Sequence, residues 1–197
     1  MCAIGENAFV ENRLTHIVIP DSVTEIGMFA FSNNQLGELA IPDSVKQIGA
    51  GAFSGNRLKE LTIPESVTRV YGYAFSFNQL TKIVIPNNIT KIYEYVFWKN
   101  QLIEVAIPYI VTEISEGAFA CNNLTAITIP DGVTEIGKIA FAENQLNSIT
   151  MCGKVSLPRK SKYSEPAFDN GFDDFYKSNN KKIGTYLFDG KHWSIKE

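Results

Sequence analysis

The sequence predicts a repeat solenoid, in which a short unit recurs along the chain and each copy buries its apolar side against the next. Phe, Leu and Asn each recur at seven positions and Pro at six, always with a step of 22 residues and no insertion. A chain of 197 residues therefore holds about seven copies. The series are Phe at 9, 31, 53, 75, 97, 119 and 141; Leu at 14, 36, 58, 80, 102, 124 and 146; Asn at 12, 34, 56, 78, 100, 122 and 144; and Pro at 20, 42, 64, 86, 108 and 130.

The spacing of apolar residues within one unit, L-x-x-I-x-I-P-x-x-V-x-x-I-x-x-x-A-F-x-x-N-x, predicts a short strand followed by a return segment. Leu39 and Ile41 are two residues apart, so they share one face of a strand. Pro42 ends that strand because it has no N–H to donate to a ladder. Val45 and Ile48 point inward again from the return segment. Stacked copies would place equivalent strands about 4.8 Å apart in a parallel sheet.

The Phe and Asn columns have separate physical roles. Phe is the largest unit of burial, worth roughly 1.5–3 kcal/mol per residue before entropy, and Ala stands beside it except at Val96. Asn lies two residues before Leu, where its amide can bond turn backbone that a regular ladder leaves unpaired. We interpret the Asn column as a structural ladder rather than as a series of binding sites.

The N-terminal residues align with the middle of a repeat. Ile4-Gly5 and Ala8-Phe9 correspond to Ile26-Gly27 and Ala30-Phe31, so neither a signal peptide nor a capping segment is expected before the first coil. A solenoid end without a polar cap exposes an apolar edge. Either the chain is trimmed there, or a second chain covers the edge and gives a homodimer.

The repeat pattern ends after Cys152, which divides the chain into a solenoid at 1–153 and a capping segment at 154–197. Residues 153–164 are polar and basic and predict a linker. A short amphipathic helix is predicted next, because aromatic residues follow at helical spacing, namely Phe168, Phe172, Phe175 and Tyr176. Asp189-Gly190 predicts a hairpin turn between 184–188 and 191–195, with Trp193 on the hairpin. This α+β segment is expected to cap the last coil, with a separate binding role as the alternative.

Composition argues against several classes of function. Apolar residues make up 45% and charged residues 20%, which predicts a folded core. The net charge of −3 argues against a nucleic-acid partner, and no apolar run approaches the ~20 residues of a transmembrane segment. Three cysteines without a CxxC pair and two distant histidines predict no metal and no cofactor. Because no hydrolase, metalloprotease or nucleotide-binding motif is in place, we predict a protein that is not an enzyme.

Function is expected at positions that the repeat leaves free. Two outward columns flank the middle apolar residue of the predicted strand and form a flat surface that suits a docked protein or extended chain. A merely solvated sheet face is the alternative. The first column is His16, Glu38, Glu60, Lys82, Glu104, Ala126 and Ser148, and the second is Val18, Ala40, Thr62, Val84, Ala106, Thr128 and Thr150.

A sharper signal is a group of aromatic residues in the third and fourth full copies. Gly49-Ala50-Gly51 of the preceding copy becomes Tyr71-Gly72-Tyr73 and then Tyr93-Glu94-Tyr95. Tyrosines 22 residues apart are expected to lie side by side on neighbouring coils. Tyr and Trp are enriched at interaction hot spots, and a contiguous apolar patch usually marks a site; a local packing cluster is the alternative. The predicted contact residues are Tyr71, Tyr73, Phe77, Tyr93, Tyr95 and Trp98.

The repeat resembles the BspA-like class of bacterial leucine-rich repeats, whose core is L-x-x-I-x-I-P-x-x-V-x-x-I-G-x-x-A-F. The resemblance covers residues 1 to about 152, and the tail is similar to a helix-plus-hairpin module of some spirochaete and other anaerobe members. The common family repeat is one residue longer and often has Cys after A-F-x-x, where this chain has Asn, as at Asn56. The resemblance implies a leucine-rich-repeat solenoid, a right-handed arc with its parallel β-sheet on the concave face.

The same resemblance implies an extracellular, cell-surface or periplasmic location and an adhesin-like role in binding host matrix proteins, serum proteins or other cells. We therefore predict a non-catalytic protein–protein interaction module of a bacterial surface or secreted protein. The alternative is a carrier of a small apolar ligand or a peptide at the aromatic residues. A carrier requires a partly enclosed pocket of a few hundred Å³.

Overall fold

The chain forms a β-solenoid of about seven turns with the predicted period of about 22 residues, in a computed structural model that describes residues 2–158 and 165–196. Residues one period apart pair in parallel, as Ile26 does with Ile48 and Ile48 with Val70. A short helix and a β-hairpin follow the last coil. The solenoid predicted from the repeat is confirmed.

Most coils contribute two short strands, one on each side of the apolar interior. The helix α1 spans Phe172–Ser178. In chain order the strands are β1 (Cys2–Ile4), β2 (Val23–Ile26), β3 (Gln47–Ile48), β4 (Glu60–Thr62), β5 (Arg69–Val70), β6 (Lys82–Val84), β7 (Lys91–Ile92), β8 (Glu113–Ile114), β9 (Ala126–Ile129), β10 (Glu135–Ile136), β11 (Ser148–Met151), β12 (Gly184–Phe188) and β13 (Trp193–Ile195).

These strands form two parallel ladders. The L-x-x-I-x-I segments give the leucine-side ladder, with β4 paired to β6 and β9 to β11. The V-x-x-I segments, predicted only as a return, give the more regular valine-side ladder, in which β1-β2-β3-β5 and β7-β8-β10 pair. A tight turn precedes these segments. In one example, the N–H of Val23 donates to the Pro20 carbonyl at 3.0 Å and closes the turn. The turn lets Val and Ile both face the core while the backbone bonds the neighbouring coil.

The Phe column forms one ring stack through the interior. Consecutive ring centroids lie 4.9–6.1 Å apart and the planes differ by only 1–21°. The stack runs from Phe9 to Phe168, one coil beyond the last Phe of the predicted series. Offset stacking at this distance adds to the apolar area that each ring buries.

The Asn column forms the predicted structural ladder. Asn56 donates through Nδ2 to the carbonyls of Phe53 and Ser54 in its own coil and of Phe31 in the preceding coil. Its Oδ1 accepts the N–H of Leu36 at 3.1 Å. The same pattern recurs at Asn34, Asn78, Asn100, Asn122 and Asn144. Each amide therefore satisfies backbone groups of the corner and ties one coil to the next.

The stacking continues beyond Cys152, where the repeat pattern was predicted to end. Val155 and Leu157 are buried, and the N–H of Ser156 donates to the Thr134 carbonyl at 2.8 Å. Residues 153–158 are therefore part of the stack and not a linker; the rest of the predicted linker, 159–164, lies outside the described residues. The division at 153/154 stays a prediction.

The C-terminal segment packs on the last coil as a helix and a hairpin. β12 pairs antiparallel with β11 and with β13, so the hairpin extends the leucine-side ladder. Trp193 lies on β13, as predicted, and packs against Phe172 of α1 with ring centroids 4.9 Å apart. At the other end, Phe9 stacks on Phe31 with one face and is 44% exposed.

The ladder of Asn side chains predicts a large cost for truncating a buried member. We expect Asn78→Ala to lower the free energy of unfolding by about 2–4 kcal/mol, because several backbone groups lose their partner in a buried corner. Asn12→Ala is the matched control, since Asn12 is exposed and bonds only the Val10 carbonyl among the described residues. Urea unfolding followed by circular dichroism measures both, and equal changes would contradict the ladder's role.

A glycine before several of the corners permits the close approach of the coils. An ideal Cβ at Gly27, Gly49 or Gly137 would lie 2.5–2.7 Å from the backbone of the preceding coil. Tyr71 and Tyr93 occupy this position in the third and fourth copies. At that junction no pairing joins β5 to β7, and the Phe75–Phe97 separation, 6.1 Å, is the largest in the stack. We attribute the interruption of the valine-side ladder to the volume of two tyrosines in adjacent coils.

The same contact predicts that Gly49→Ala destabilises the solenoid by about 1–3 kcal/mol, because the new methyl group meets backbone that cannot move aside easily. Gly37→Ala is the control, since nothing lies within 4 Å of a Cβ there. We expect the control to change stability by less than about 0.5 kcal/mol. Thermal unfolding of the two variants side by side checks this, and a neutral Gly49→Ala would show that the coils are free to separate.

Candidate functional site: an aromatic surface

The structure divides the six predicted contact residues into two groups. Tyr71 and Tyr93, which we call the tyrosine pair, lie side by side with ring centroids 5.4 Å apart and a tilt of 48°. The other four residues form a connected aromatic cluster, consisting of Tyr73, Phe77, Tyr95 and Trp98. Both predicted neighbour pairs, Tyr71 with Tyr93 and Tyr73 with Tyr95, are therefore present.

The aromatic cluster is built around Trp98. Tyr73 and Tyr95 stack with centroids 4.9 Å apart and an angle of 16°. Trp98 contacts Phe77 edge-on at 4.6 Å, Tyr95 at 5.4 Å and Tyr73 at 6.4 Å. Tyr73 is 38% and Phe77 44% exposed, so the cluster is packed at its base and open to solvent.

Three of the four cluster residues have a backbone conformation that favours glycine. Tyr73, Phe77 and Tyr95 have φ of 60°, 53° and 54°. The left-handed region costs a residue with a Cβ roughly 1–2 kcal/mol, and neighbouring coils place Gly51, Gly55 and Gly117 at the equivalent positions. The same corner conformation recurs along the repeat with other side chains, as at Phe29 and Ile139, so the cluster residues share a feature of every coil.

The Tyr95 ring lies over a glycine of the next coil, where the absence of a side chain leaves room for it. An ideal Cβ at Gly117 would lie 2.3 Å from Cε1 of Tyr95, so the ring occupies the space that a side chain would need. Phe29 covers Gly51 in the same way, at 2.3 Å. The ring at each of these corners leans over the following coil, which aligns the aromatic faces along the solenoid.

Polar contacts fix the rims of the cluster. The Tyr95 hydroxyl donates to Oε1 of Glu116 at 2.6 Å, and burial, followed by this bond, raises the pKa of Tyr95 well above its usual range. Nε1 of Trp98 donates to the Cys121 sulfur at 3.2 Å, whose thiol donates to Glu143 at 3.3 Å. Burial raises the pKa of the Cys121 thiol, so it remains protonated at neutral pH and can act as this donor.

The tyrosine pair has a different environment. The Lys91 ammonium lies 5.1 Å from the Tyr93 ring centroid and 2.7 Å from Oε1 of Glu113. The hydrogen bond to Glu113 raises the pKa of Lys91 above its ordinary value, so this cation stays charged over the ring. The Tyr71 hydroxyl donates to Gln47 at 3.4 Å. This pair is therefore tied to the valine-side ladder rather than to the cluster.

The cavities do not favour a ligand pocket at the aromatic residues. Tyr93 lines an internal space of only about 10 Å³. Two larger recesses, of about 370 and 390 Å³, lie on the leucine-side face on either side of Glu104 and Ala106. They are lined by strand residues and not by the aromatic cluster. Tyr109 is 72% exposed but stands on another column of the repeat.

The chemistry expected of other site classes has no geometric support in the described part of the chain. Among residues 2–158 and 165–196, no three His, Cys, Asp or Glu side chains gather where they could hold a metal ion. Within the same ranges no helix has the length and apolar character needed to cross a membrane. His192 is exposed beside the hairpin turn, where Asp189 accepts its backbone N–H at 2.7 Å.

Sequence reasoning missed the residues that frame the cluster, namely Glu94, Lys99, Glu116 and Cys121. The sequence held one signal for these corners, in the residues that stand one period before or after Tyr73, Phe77 and Tyr95. The Tyr73 and Phe77 columns contain Gly51, Gly55 and Gly117, and this recurrence of glycine indicates left-handed corners.

Comparisons with known proteins agree with this architecture. A leucine-rich cell-surface protein from Faecalibacterium prausnitzii A2-165 is 30% identical, over 83% of this chain and 48% of its own, with a TM-score of 0.62. A leucine-rich repeat protein from Bacteroides ovatus is 26% identical, over 71% of this chain and 49% of its own, with a TM-score of 0.50. The chain thus spans about half the length of these two structures. No curated protein matches it.

The stacked coils, the Asn ladder and these neighbours define a leucine-rich-repeat protein. The profile of the BspA type leucine-rich repeat region matches in six copies, over residues 2–120, 57–170 and 100–195, and the chain belongs to this family. Repeats of this family are typical of surface proteins and of protein–protein interaction, and are generally non-catalytic.

The separation of cluster and core predicts different costs for two Phe residues only two positions apart. We expect Phe77→Gly to change the free energy of unfolding by less than about 1 kcal/mol, because relief of the left-handed conformation offsets the lost contact with Trp98. Phe75→Ala, in the fully buried stack, should cost about 3–5 kcal/mol. Chemical denaturation measures both, and a large loss for Phe77→Gly would make the cluster a structural element.

Proposed function

We propose that this chain is a non-catalytic binding module of a bacterial surface or secreted protein and that it adheres to a protein partner through the aromatic cluster. The partner is a host matrix protein, a serum protein or another cell surface. The observation that carries the proposal is the cluster itself: four contacting rings, of which Tyr73 and Phe77 are exposed to solvent. A rigid solenoid supplies the fixed platform that such a contact surface needs.

Energetic arguments support the cluster over the leucine-side face. Aromatic residues bury a large area at a small loss of side-chain entropy, and they dominate binding energy at many interfaces. Trp98 is locked by Cys121 and by three rings, so ordering it on binding costs little. The leucine-side face offers Val84, Ala106 and Thr128, whose side chains bury less area than aromatic rings do.

The proposal predicts that Tyr73→Ser combined with Tyr95→Ser weakens binding at least about tenfold, because both stacked rings are lost. Surface binding of the purified chain to a panel of matrix and serum proteins identifies a partner and then measures the variants against it. Tyr71→Ser combined with Tyr93→Ser tests the tyrosine pair separately.

Tyr109→Ser is the matched control, since Tyr109 is a highly exposed tyrosine on another column. Circular dichroism verifies that each variant folds. Unchanged affinity of the Tyr73→Ser, Tyr95→Ser variant, with a partner in hand, would move recognition to the leucine-side face or to the C-terminal segment.

A homodimer through the first coil is a separate proposal, which rests on the exposed Phe9 and the exposed residues of β1. Sedimentation at increasing concentration decides it, and a monomer throughout would remove it. The binding role of the C-terminal segment, as an alternative to capping, is tested by the same panel.

A further inference from the structure

We propose that the partner presents a cationic side chain, an arginine or a lysine of a basic protein segment, to the Tyr73–Tyr95 end of the aromatic cluster, between the exposed rings and the carboxylates of Glu94 and Glu116. The inference rests on the proposed function, because it names the chemistry of the partner at that same surface. The argument for a cationic group rests on the charged side chains around the rings and not on the apolar character of the rings themselves.

Two carboxylates border this end of the cluster. Glu94 and Glu116 stand one residue before Tyr95 and Gly117, 22 residues apart, so they are neighbours on adjacent coils. Glu116 accepts the Tyr95 hydroxyl at 2.6 Å. Glu94 lies against Gly72, where an ideal Cβ would be 2.4 Å from its Oε1. Both glutamates are exposed, so an incoming group can reach them.

Neither carboxylate forms an ion pair within the described residues; the charge of Glu94 contributes to the raised pKa of Lys91, but Lys91 pairs with Glu113. Across 2–158 and 165–196 the ion pair found joins Lys91 to Glu113, and no basic side chain reaches Glu94 or Glu116 within ion-pair distance. Lys138 follows Glu116 in the same column without pairing to it, and Glu165 adds a third negative charge near Tyr95. After burial, Glu94 and Glu116 are the charges that raise the pKa of Tyr73. The tyrosines thus lie in a negative field.

Lysine side chains already lie over neighbouring rings of this surface. Lys99 lies 4.9 Å from the Trp98 centroid and 5.1 Å from that of Phe77. In the part of the chain that the structure describes, no lysine or arginine lies over Tyr73 or Tyr95 in this way. This end therefore combines the exposed Tyr73 ring with two carboxylates that have no ion-pair partner, and among the described residues no cation lies over its rings as Lys99 does at the other end.

An arginine satisfies both features at once. Its planar guanidinium stacks on an aromatic ring while its N–H groups bond a carboxylate in a fork geometry. A partner that covered the same end with apolar or acidic groups would leave two carboxylates without water or a counter-charge, which is costly. Charge complementarity therefore selects a basic segment over an apolar or acidic one.

The first experiment uses a defined peptide, so that it does not depend on finding the natural partner. The chain has two tryptophans, and Trp193→Phe leaves Trp98 as the fluorescent reporter within the cluster. The probes are the blocked peptide Gly-Arg-Gly-Arg-Gly and its citrulline counterpart, which keeps the shape and loses the charge. We expect the arginine peptide to bind about fivefold more tightly. Calorimetry on the unmodified chain gives the same comparison without the substitution.

The preference for arginine should vanish in the Glu94→Gln, Glu116→Gln variant. Glu38→Gln combined with Glu60→Gln is the control, since it removes two exposed carboxylates that are also one period apart, on the leucine-side face. The control should keep the fivefold preference. Equal binding of the two peptides, or a preference that survives the loss of Glu94 and Glu116, overturns the inference.

A partner from the binding panel separates this inference from the proposed function. If Tyr73→Ser with Tyr95→Ser abolishes binding while Glu94→Gln with Glu116→Gln leaves affinity and its salt dependence intact, the contact surface stands and the cation is wrong. If the aromatic variant still binds, the proposed function fails at this surface, and the peptide comparison alone decides the cation site. Loss of affinity in both variants, with a weaker salt dependence of binding in the Glu94→Gln, Glu116→Gln variant, supports both the aromatic contact surface and the cationic partner group.

Discussion

The constant step of 22 residues depends on the corner amide of Asn, which bonds its own coil and the coil before it. Backbone at a solenoid corner cannot complete a ladder, and buried polar groups without partners are expensive. An insertion or deletion within a coil would move the amide out of reach of these carbonyls. The same constraint keeps the Phe rings in register, because Asn56 bonds the carbonyls of Phe31 and Phe53 themselves.

Once register is fixed, the remaining freedom lies in the side chains that point away from the core. Most copies use it for small or polar residues, and the third and fourth use it for aromatic rings. Two structural consequences follow from this concentration. The tyrosines in the glycine column coincide with an interrupted valine-side ladder, and those at the left-handed corners accept a strained backbone. The interruption of the ladder is confined to the coils where these rings are concentrated, whereas left-handed corners recur in the other coils as well.

The charges divide the aromatic surface into unlike ends. Lys99 covers Phe77 and Trp98, whereas Glu94 and Glu116 border Tyr73 and Tyr95. A surface with aromatic contact area and a directed charge pattern can select a partner as well as hold it, because complementary charges set orientation and exclude like-charged competitors. The rigid stack beneath keeps these groups at fixed positions, which lowers the ordering cost of the proposed binding.

The sequence alone determined the solenoid, its period, the Phe interior, the role of Asn and the pairing of the tyrosines, because all of these follow from residues one period apart lying on adjacent coils. It also located the helix near Phe172 and the hairpin around Asp189-Gly190. Only the tertiary structure showed the valine-side ladder, since V-x-x-I lacks the alternation that marks a strand. Val155 and Phe168 continue the stack without the full repeat motif, and burial alone reveals them. The division of six aromatic residues into a pair and a cluster likewise depended on left-handed corners, whose φ angles no apolar pattern encodes.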